Sequence, residues 1–197
     1  MVAEDIVQAL QAGRRCLVLS EWREHCRALA AQLGDRGKSP VVLDGSVKKK
    51  ARRAILSEIR EARPEADLLI VATGQYLGEG FDCPQIDTLF LAFPVSFRGK
   101  VVQYVGRAMR AYEGKARVCL YDYVDVHVPL LKRMHLRRSK TYRSLGFEQV
   151  GSVGTGGLPF LPPTFIRQAE AAKQETDGGP ALSSQQAHAG REPIETG

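Results

Sequence analysis

Short apolar runs alternate with longer segments through most of this sequence, and that alternation limits the possible folds more than any other feature. Five runs are predicted to be strands: Cys16–Ser20, Val41–Asp44, Leu68–Ala72, Thr88–Phe93 and Arg117–Asp122. Five segments are predicted to be helices: Ala3–Ala12, Glu21–Leu33, Val47–Ala62, Val101–Tyr112 and Val128–Ser144. Strands joined by crossovers of this length lie parallel, with helices on both faces of the sheet. The sequence therefore predicts an α/β domain built on a parallel sheet.

Local signals mark some of the boundaries between these elements. Gly13 is predicted to stop the first helix, and Ser46 is predicted to cap the third. Gly37-Lys38-Ser39 looks like the end of a phosphate-binding loop, but Gln32 stands where that pattern needs a glycine. The triplet also lies between a helix and a strand, so it is predicted to be an ordinary loop.

The stretch Gln103–Arg110, Gln-Tyr-Val-Gly-Arg-Ala-Met-Arg, is predicted to turn two arginines and a glutamine towards one spot. At about 100° per residue, Gln103, Arg107 and Arg110 lie within about 60° of one another on a helix. The opposite side is predicted to face the core, with Val102, Val105, Met109 and Tyr112. Gly106 costs a helix about 1 kcal/mol relative to alanine, which indicates a close approach by a ligand or another backbone. Two arginines on one face suit a polyphosphate, although such pairs also occur on solvated faces.

A second informative stretch follows the predicted strand Leu68–Ala72. Thr73-Gly74 opens a turn at the C-terminal end of that strand, where ligands bind in open α/β sheets. The chain then reads Glu79-Gly80-Phe81-Asp82-Cys83-Pro84. Taken alone, this pattern is equally typical of a strand followed by a polar turn.

Three segments in order resemble the superfamily 2 helicases. Arg23–Leu29 resembles motif IV of that family, and its His25 is assigned no chemistry. Ala72–Pro84 resembles motif V as it occurs in restriction-type and repair-type DNA helicases, and Gln103–Arg110 resembles the last motif. The resemblance covers about residues 5–150 and implies a RecA-like fold, the second of the two lobes of such a motor.

The resemblance also implies roles for individual residues. Arg107 and Arg110, with Gln103, would be the catalytic groups, the arginines acting as fingers on the triphosphate of ATP. Gly80, Asp82 and Gly106 would border the nucleotide, and Thr73 with Gly74 would contact the nucleic-acid backbone. A Gly-x-x-x-x-Gly-Lys-Ser/Thr loop and an acidic metal motif do not occur in this sequence, so Mg²⁺ would be held by a first lobe.

Positive charge is concentrated in the part predicted to fold. Residues 1–150 contain 25 Lys and Arg against 17 Asp and Glu, a net charge of +8, whereas residues 151–197 have a net charge of −2. One dense basic run includes Lys48, Lys49 and Arg52, and a second extends over Lys132–Arg143. Such runs bind phosphate backbones, and they also occur as plain solvated helix faces. We assign the first run to nucleic-acid binding.

The expected partners are a nucleic acid, with DNA favoured, and a first helicase lobe in trans or in a longer parent chain. A non-catalytic module that binds nucleic acid or a partner is the alternative, and an unrelated α/β protein is the third possibility. No apolar stretch reaches the length of about 18 residues that a membrane span needs, and no signal peptide is recognised, so a cytoplasmic location is expected. The four cysteines form no Cys-x-x-Cys pair, so neither a metal site nor a disulfide framework is expected.

Residues 151–197 differ in character from the rest and are predicted to be a low-complexity, mostly disordered tail after a domain that ends at 150. Gly151–Gly157 is glycine-rich, and the end of the chain is small and polar. Deletion of residues 166–197 is therefore expected to leave thermal stability nearly unchanged.

Overall fold

Helices and strands alternate through the chain in a computed structural model that describes residues 1–61, 67–75, 81–93, 98–125, 127–150 and 164–168. Of Lys49, Arg98, Lys100 and Val101 it describes the backbone alone. The helices are α1 (Val2–Gln11), α2 (Arg23–Gly34), α3 (Lys49–Glu61), α4 (Arg98–Ala108) and α5 (Pro129–Ser144). The strands are β1 (Cys16–Ser20), β2 (Val41–Leu43), β3 (Leu69–Thr73), β4 (Thr88–Leu91), β5 (Arg117–Asp122), β6 (Glu148–Val150) and β7 (Thr164–Gln168). No helix in these ranges has both the length and the apolar character needed to cross a membrane.

The strands form one sheet in the order β2-β3-β1-β4-β5-β7-β6. The first five strands in this order are parallel, as the crossover-length connections predict. Strand β1 lies between β3 and β4, and its last residue, Ser20, is in register with Thr73, the last residue of β3. The RecA-like architecture expected from the sequence is confirmed for this part of the sheet.

Side chains of β1 alternate between two apolar layers, one on each face of the sheet. Leu17 and Leu19 belong to the layer that packs against α3, α4 and α5. Cys16 and Val18 belong to the layer beneath α1 and α2. Because successive side chains of a strand point to opposite faces, a strand covered on both sides must be apolar throughout. This explains why the central strand reads as a continuous apolar run.

Two of the three local signals are confirmed and one is wrong. Gly13 has a φ of +71° just beyond α1, and Gly37 has a φ of +72° in the loop between α2 and β2, as a turn glycine allows. Ser46 does not cap α3, which begins at Lys49. Its amide, at 2.7 Å, and its hydroxyl both donate to the carboxylate of Asp44, because a short polar side chain two residues upstream offers a local acceptor.

A buried ionic cluster joins β5 to α5. The carboxylate of Asp122 is fully buried and accepts two hydrogen bonds from Arg138, at 2.7 and 2.8 Å, and one from the Tyr142 hydroxyl at 3.0 Å. Its Oδ2 atom also lies 3.1 Å from Nδ1 of His135. Burial alone would raise the pKa of Asp122, but the hydrogen bonds from His135 and Arg138 outweigh it and hold that pKa below its ordinary value. Arg138 therefore belongs to the core and not to the basic surface expected over Lys132–Arg143.

The sheet continues beyond residue 150. Strand β7 pairs antiparallel with β5 and with β6, so the outer part of the sheet is mixed. Phe165 of β7 is fully buried, and its ring makes a T-shaped contact with that of Tyr142, with ring centroids 4.7 Å apart. A cut at residue 166 would remove the last three of the five residues of β7. The boundary chosen for the neutral deletion is therefore wrong, because it divides a strand that is paired on both sides.

The contribution of β7 can be measured by comparing two shortened chains, residues 1–163 and residues 1–168. The shorter chain is expected to be less stable by at least the roughly 3–5 kcal/mol that removal of a buried phenylalanine typically costs. Phe165→Ala within residues 1–168 should reproduce most of that loss, as measured by urea unfolding. Residues 169–197 are absent from both chains, so they do not affect the comparison. Equal stability of the two chains would show that β7 adds nothing to the fold.

Candidate functional site

Helix α4 ends earlier than predicted, and this changes the position of Arg110. The helix stops at Ala108, so Arg107 lies in its last turn while Arg110 lies beyond it in a tight turn, its amide donating to the Arg107 carbonyl at 3.3 Å. The predicted single helical face for Gln103, Arg107 and Arg110 is therefore wrong in its geometry. Lys115 caps this end of the helix, because its Nζ donates to the carbonyl oxygen of Ala108, the last helical residue, and to that of Arg110 in the turn that follows.

The core side of α4 is also rotated from the prediction. Among the side chains of α4 that the structure describes, Tyr104, Val105 and Ala108 are buried, whereas Val102 is 37% exposed. Met109, just beyond the helix, is partly buried and packs against the core as predicted. Val105 was predicted correctly and Val102 was not. A Cβ atom added to Gly106 would meet nothing within 4 Å among the described residues, so no other backbone of this part of the chain approaches it. A bound ligand at Gly106 stays a prediction.

The two arginines converge on two consecutive residues, and we call Phe81, Asp82, Arg107, Arg110 and Lys115 the arginine site. Arg110 Nη1 lies 2.5 Å from Asp82 Oδ1, and Arg107 Nη1 donates to the Phe81 carbonyl oxygen. The Arg110 and Asp82 side chains are 52% and 49% exposed. An ion pair so accessible to solvent contributes only about 0–1 kcal/mol to stability. Its main effect is to orient the Arg110 guanidinium.

Lys115 holds the arginine site together, although it was not among the predicted site residues. Its ammonium group donates to the carbonyl oxygens of Pro84 at 2.5 Å, Arg110 at 2.9 Å and Ala108 at 3.0 Å. It thus ties the segment before β4 to the end of α4, where a cation also complements the helix dipole. Burial lowers the pKa of Lys115 to about 8, so the ammonium form still predominates at pH 7. The one local signal is Gly114, whose φ of +77° turns the chain just before this lysine.

Thr73 and Gly74 lie elsewhere, at the carboxyl edge, by which we mean the C-terminal ends of β1, β2 and β3 with the residues that follow them. Thr73 is the last residue of β3, and its side chain is mostly buried. A Cβ atom on Gly74 would lie 2.5 Å from the Tyr104 hydroxyl and 3.4 Å from the ring of Phe93. Gly74 is therefore needed for the close packing of α4 against this turn. A contact of Thr73 or Gly74 with nucleic acid stays a prediction.

The basic residues at the start of α3 differ in their exposure to solvent. Lys48 is exposed, but Arg52 is half-buried on the same helical row as Leu56 and Ile59, which enter the core. Arg52 is therefore less accessible than Lys48, and a contact of either residue with nucleic acid stays a prediction. The side chain of Lys49 lies outside the described part of the structure.

The predicted site residues fall into two groups at different ends of the sheet. Asp82 precedes β4, and Lys115 comes two residues before β5, so the arginine site lies towards the amino ends of these strands. Thr73, Gly74 and Lys48 lie at the opposite, carboxyl edge. Gln103 is exposed on α4, and Gly80 lies outside the described residues. The structure thus brings Arg107, Arg110 and Asp82 together and keeps them apart from the residues predicted to bind nucleic acid.

The five parallel strands, covered on both faces, together with the paired arginines at the end of α4, define a RecA-like lobe. The chain belongs to the helicase conserved C-terminal domain family, whose model matches residues 2–112, more than half of its length. The resemblance to the second lobe of superfamily 2 helicases is thereby confirmed. Its closeness to restriction-type and repair-type enzymes stays a prediction.

Two viral relatives illustrate how far this similarity extends. The uncharacterized protein 108L of Invertebrate iridescent virus 3 is 35% identical over 96 residues, which cover 48% of this chain and 86% of that protein. Transcript termination protein A18 of Vaccinia virus (strain Ankara) is 28% identical over 153 residues, or 77% of this chain. The alignment covers 30% of A18, so the present chain corresponds to about a third of that protein.

Two solved structures share the fold. The C-terminal part of the Fun30 ATPase domain aligns with a TM-score of 0.56 and 15% identity, over 65% of this chain and 40% of that one. The C-terminal domain of Dbp5 from S. cerevisiae aligns with a TM-score of 0.50 and 17% identity, over 73% of this chain and 78% of that one. At these identities the likeness concerns the fold alone.

Proposed function

We propose that this chain is the C-terminal motor lobe of an ATP-dependent nucleic-acid helicase or translocase. The observation that supports this most directly is the convergence of Arg107 and Arg110 on Phe81–Asp82, two motifs that resemble superfamily 2 and that the fold brings into contact. The lobe would act with a first lobe that lies in a separate chain or in another part of a longer one. Movement along nucleic acid would then require both lobes.

The arginine site fits the phosphates of ATP by the chemistry of its donors. A guanidinium group has five N–H donors in a planar fork, and Arg110 is half exposed, so donors remain for a second, anionic partner. In ATP, bound with Mg²⁺ by the first lobe, the γ-phosphoryl group would pass to water, giving inorganic phosphate and leaving ADP. The phosphates of ATP would compete with Asp82 for Arg110, and Arg107 and Arg110 would stabilise the charge that develops during transfer. Asp82 would border the nucleotide, as the family resemblance implies.

The carboxyl edge is the proposed contact surface for nucleic acid. Lys48 is exposed there, and Thr73 ends the adjacent strand β3. Contacts of this kind address phosphates and not base edges, so binding would be independent of sequence and sensitive to salt. The name of the A18 relative, transcript termination protein, refers to a process on nucleic acid and keeps RNA beside DNA as a candidate strand.

A direct test uses the chain by itself, without a first lobe. It is expected to show no nucleic-acid-stimulated ATP hydrolysis, because its sequence holds no phosphate loop and no acidic metal motif. It should still bind nucleic acid, weakly and with an affinity that falls steeply between low and moderate salt. Both quantities are measurable on one preparation, by phosphate release and by fluorescence anisotropy.

The outcomes of this test separate the proposal from its alternatives. Sustained turnover by rigorously purified protein would contradict the assignment of the chain as one lobe of a two-lobe motor. Affinity that does not change with salt would contradict the phosphate contacts. Salt-sensitive binding that persists while no first lobe restores hydrolysis would favour the non-catalytic module.

A further inference from the structure

Among the described residues of the carboxyl edge, one large aromatic side chain is exposed to solvent. Trp22 is the only tryptophan of the chain, and its side chain is 57% exposed at the N-terminus of α2. Tryptophan is highly buried on average, because its ring gains more from leaving water than most side chains do. The backbone beneath it is fixed, since the Trp22 amide donates to Ser20 Oγ at 3.4 Å and its carbonyl accepts from the Cys26 amide at 3.1 Å. An ordered backbone thus presents the ring to solvent.

Cationic side chains lie at this edge around the end of β2, on both sides of the sheet, and the exposed carboxylates of Glu21 and Glu24 lie beside Trp22. Arg23 lies against the loop after β2, where a Cβ atom on Gly45 would be 3.2 Å from Arg23 Nη2. Arg27 is 60% exposed, and its Nη2 lies 3.7 Å from the buried Asp44. Lys48, also exposed, follows the same loop. Helix α2 and the start of α3 therefore bring positive charge to either side of the end of β2.

The strand register places Trp22 close to the residues already proposed to contact the nucleic-acid backbone. Ser20 pairs with Thr73, and Leu43 of β2 pairs with Ala72, so the ends of β1, β3 and β2 lie side by side. Trp22 comes two residues after the end of β1. An aromatic ring and several cations thus share one edge, the combination by which proteins bind single strands: cations track phosphates while bases stack on aromatic rings.

We propose that Trp22 is a stacking platform for a nucleobase, and that the carboxyl edge therefore binds single-stranded nucleic acid in preference to duplex. In a duplex both faces of each internal base are covered by its neighbours, so the ring could reach only a terminal base pair. In a single strand any base can stack on the indole, because every base has a π-face. The inference rests on the proposed function in taking nucleic acid as the ligand, and it adds the form of that ligand.

The test uses the full chain and three probes: a thymidine oligonucleotide of about 20 nucleotides, enough to span one binding site, an abasic strand of the same length, and a blunt duplex. Stacking should change the tryptophan emission with the thymidine strand and not with the abasic one, and the signal can come only from Trp22. Trp22→Ala should weaken binding of the thymidine strand about 5- to 150-fold and leave abasic binding unchanged. Trp22→Phe should retain most of the affinity. Leu130→Ala is the matched control, because Leu130 is also 57% exposed but lies on α5.

The possible failures distinguish this inference from the proposed function. Trp22→Ala could bind the thymidine strand as tightly as the native chain does, with the same salt dependence. In that case the proposal of base stacking on Trp22 is wrong, and the proposed nucleic-acid-binding function is unaffected. Tighter binding of the duplex than of the thymidine strand would likewise overturn the platform alone. Failure of all three probes to bind at low salt would overturn both.

Discussion

Replacement of Arg110 by alanine is expected to lower kcat for ATP hydrolysis by about two orders of magnitude or more once this chain is combined with a matching first lobe. Nucleotide affinity should change much less, because the guanidinium would act mainly on charge that develops in the transition state. Arg107→Ala should behave similarly. Steady-state rates at saturating nucleic acid, with separate measurements of nucleotide binding, would show this division.

The exposure of the Arg110–Asp82 pair separates an effect on catalysis from an effect on folding. Both side chains are about half exposed, so the loss of their ion pair should leave the melting temperature almost unchanged. Arg110→Lys should not restore the rate fully, because an ammonium group lacks the bidentate fork. Arg52→Ala tests the residues predicted to bind nucleic acid. It should at most weaken nucleic-acid binding, and it should not lower the rate of ATP hydrolysis at saturating nucleic acid. A normal rate for Arg110→Ala would exclude the role of arginine finger.

Asp122→Asn is expected to lower the free energy of unfolding by about 3–5 kcal/mol, a large loss for the substitution of one polar residue. The amide has the same shape as the carboxylate but no charge, so the buried Arg138 guanidinium would lose its counterion. Urea unfolding at pH 7 should show a lower midpoint with an unchanged slope. The cluster joins β5 to α5, so the loss should appear in the global transition.

Asp67→Asn provides the matched control, because Asp67 forms an exposed ion pair with Lys38 at 2.8 Å. The same change there should cost less than about 1 kcal/mol. The pKa of Asp122 in the folded chain lies below its ordinary value of 3.8, so its contribution is present above that pH and is lost as the pH falls through the lower, folded pKa. The difference between native chain and variant should therefore persist at pH 5–8 and shrink only below about pH 3.8. Equal stability at pH 7 would show that the cluster is not a net source of stability.

The sequence by itself determined the elements whose signals are local. Cys16–Ser20 and Arg117–Asp122 were predicted with the boundaries that the structure shows, because the interior of each is a short apolar run, as a strand covered on both faces requires. The residues that carry the resemblance to the family, such as Arg107 and Arg110, were likewise present in the sequence as recognisable motifs. Crossover lengths then fixed the parallel arrangement, since short connections cannot join parallel strands.

Only the tertiary structure decided how these elements meet. Lys115 caps α4 at Ala108 across a turn and also ties the end of the helix to the segment before β4, and no helical periodicity contains that information. Arg52 is partly withdrawn from the basic surface because its row of α3 faces the core. Strand β7 joins the sheet from beyond the glycine-rich stretch because it pairs with both β5 and β6 and because Phe165 is buried against Tyr142. Each of these outcomes depends on partners distant in sequence, and pairing over such distances is set by packing and hydrogen bonding in the folded chain, which local patterns do not record.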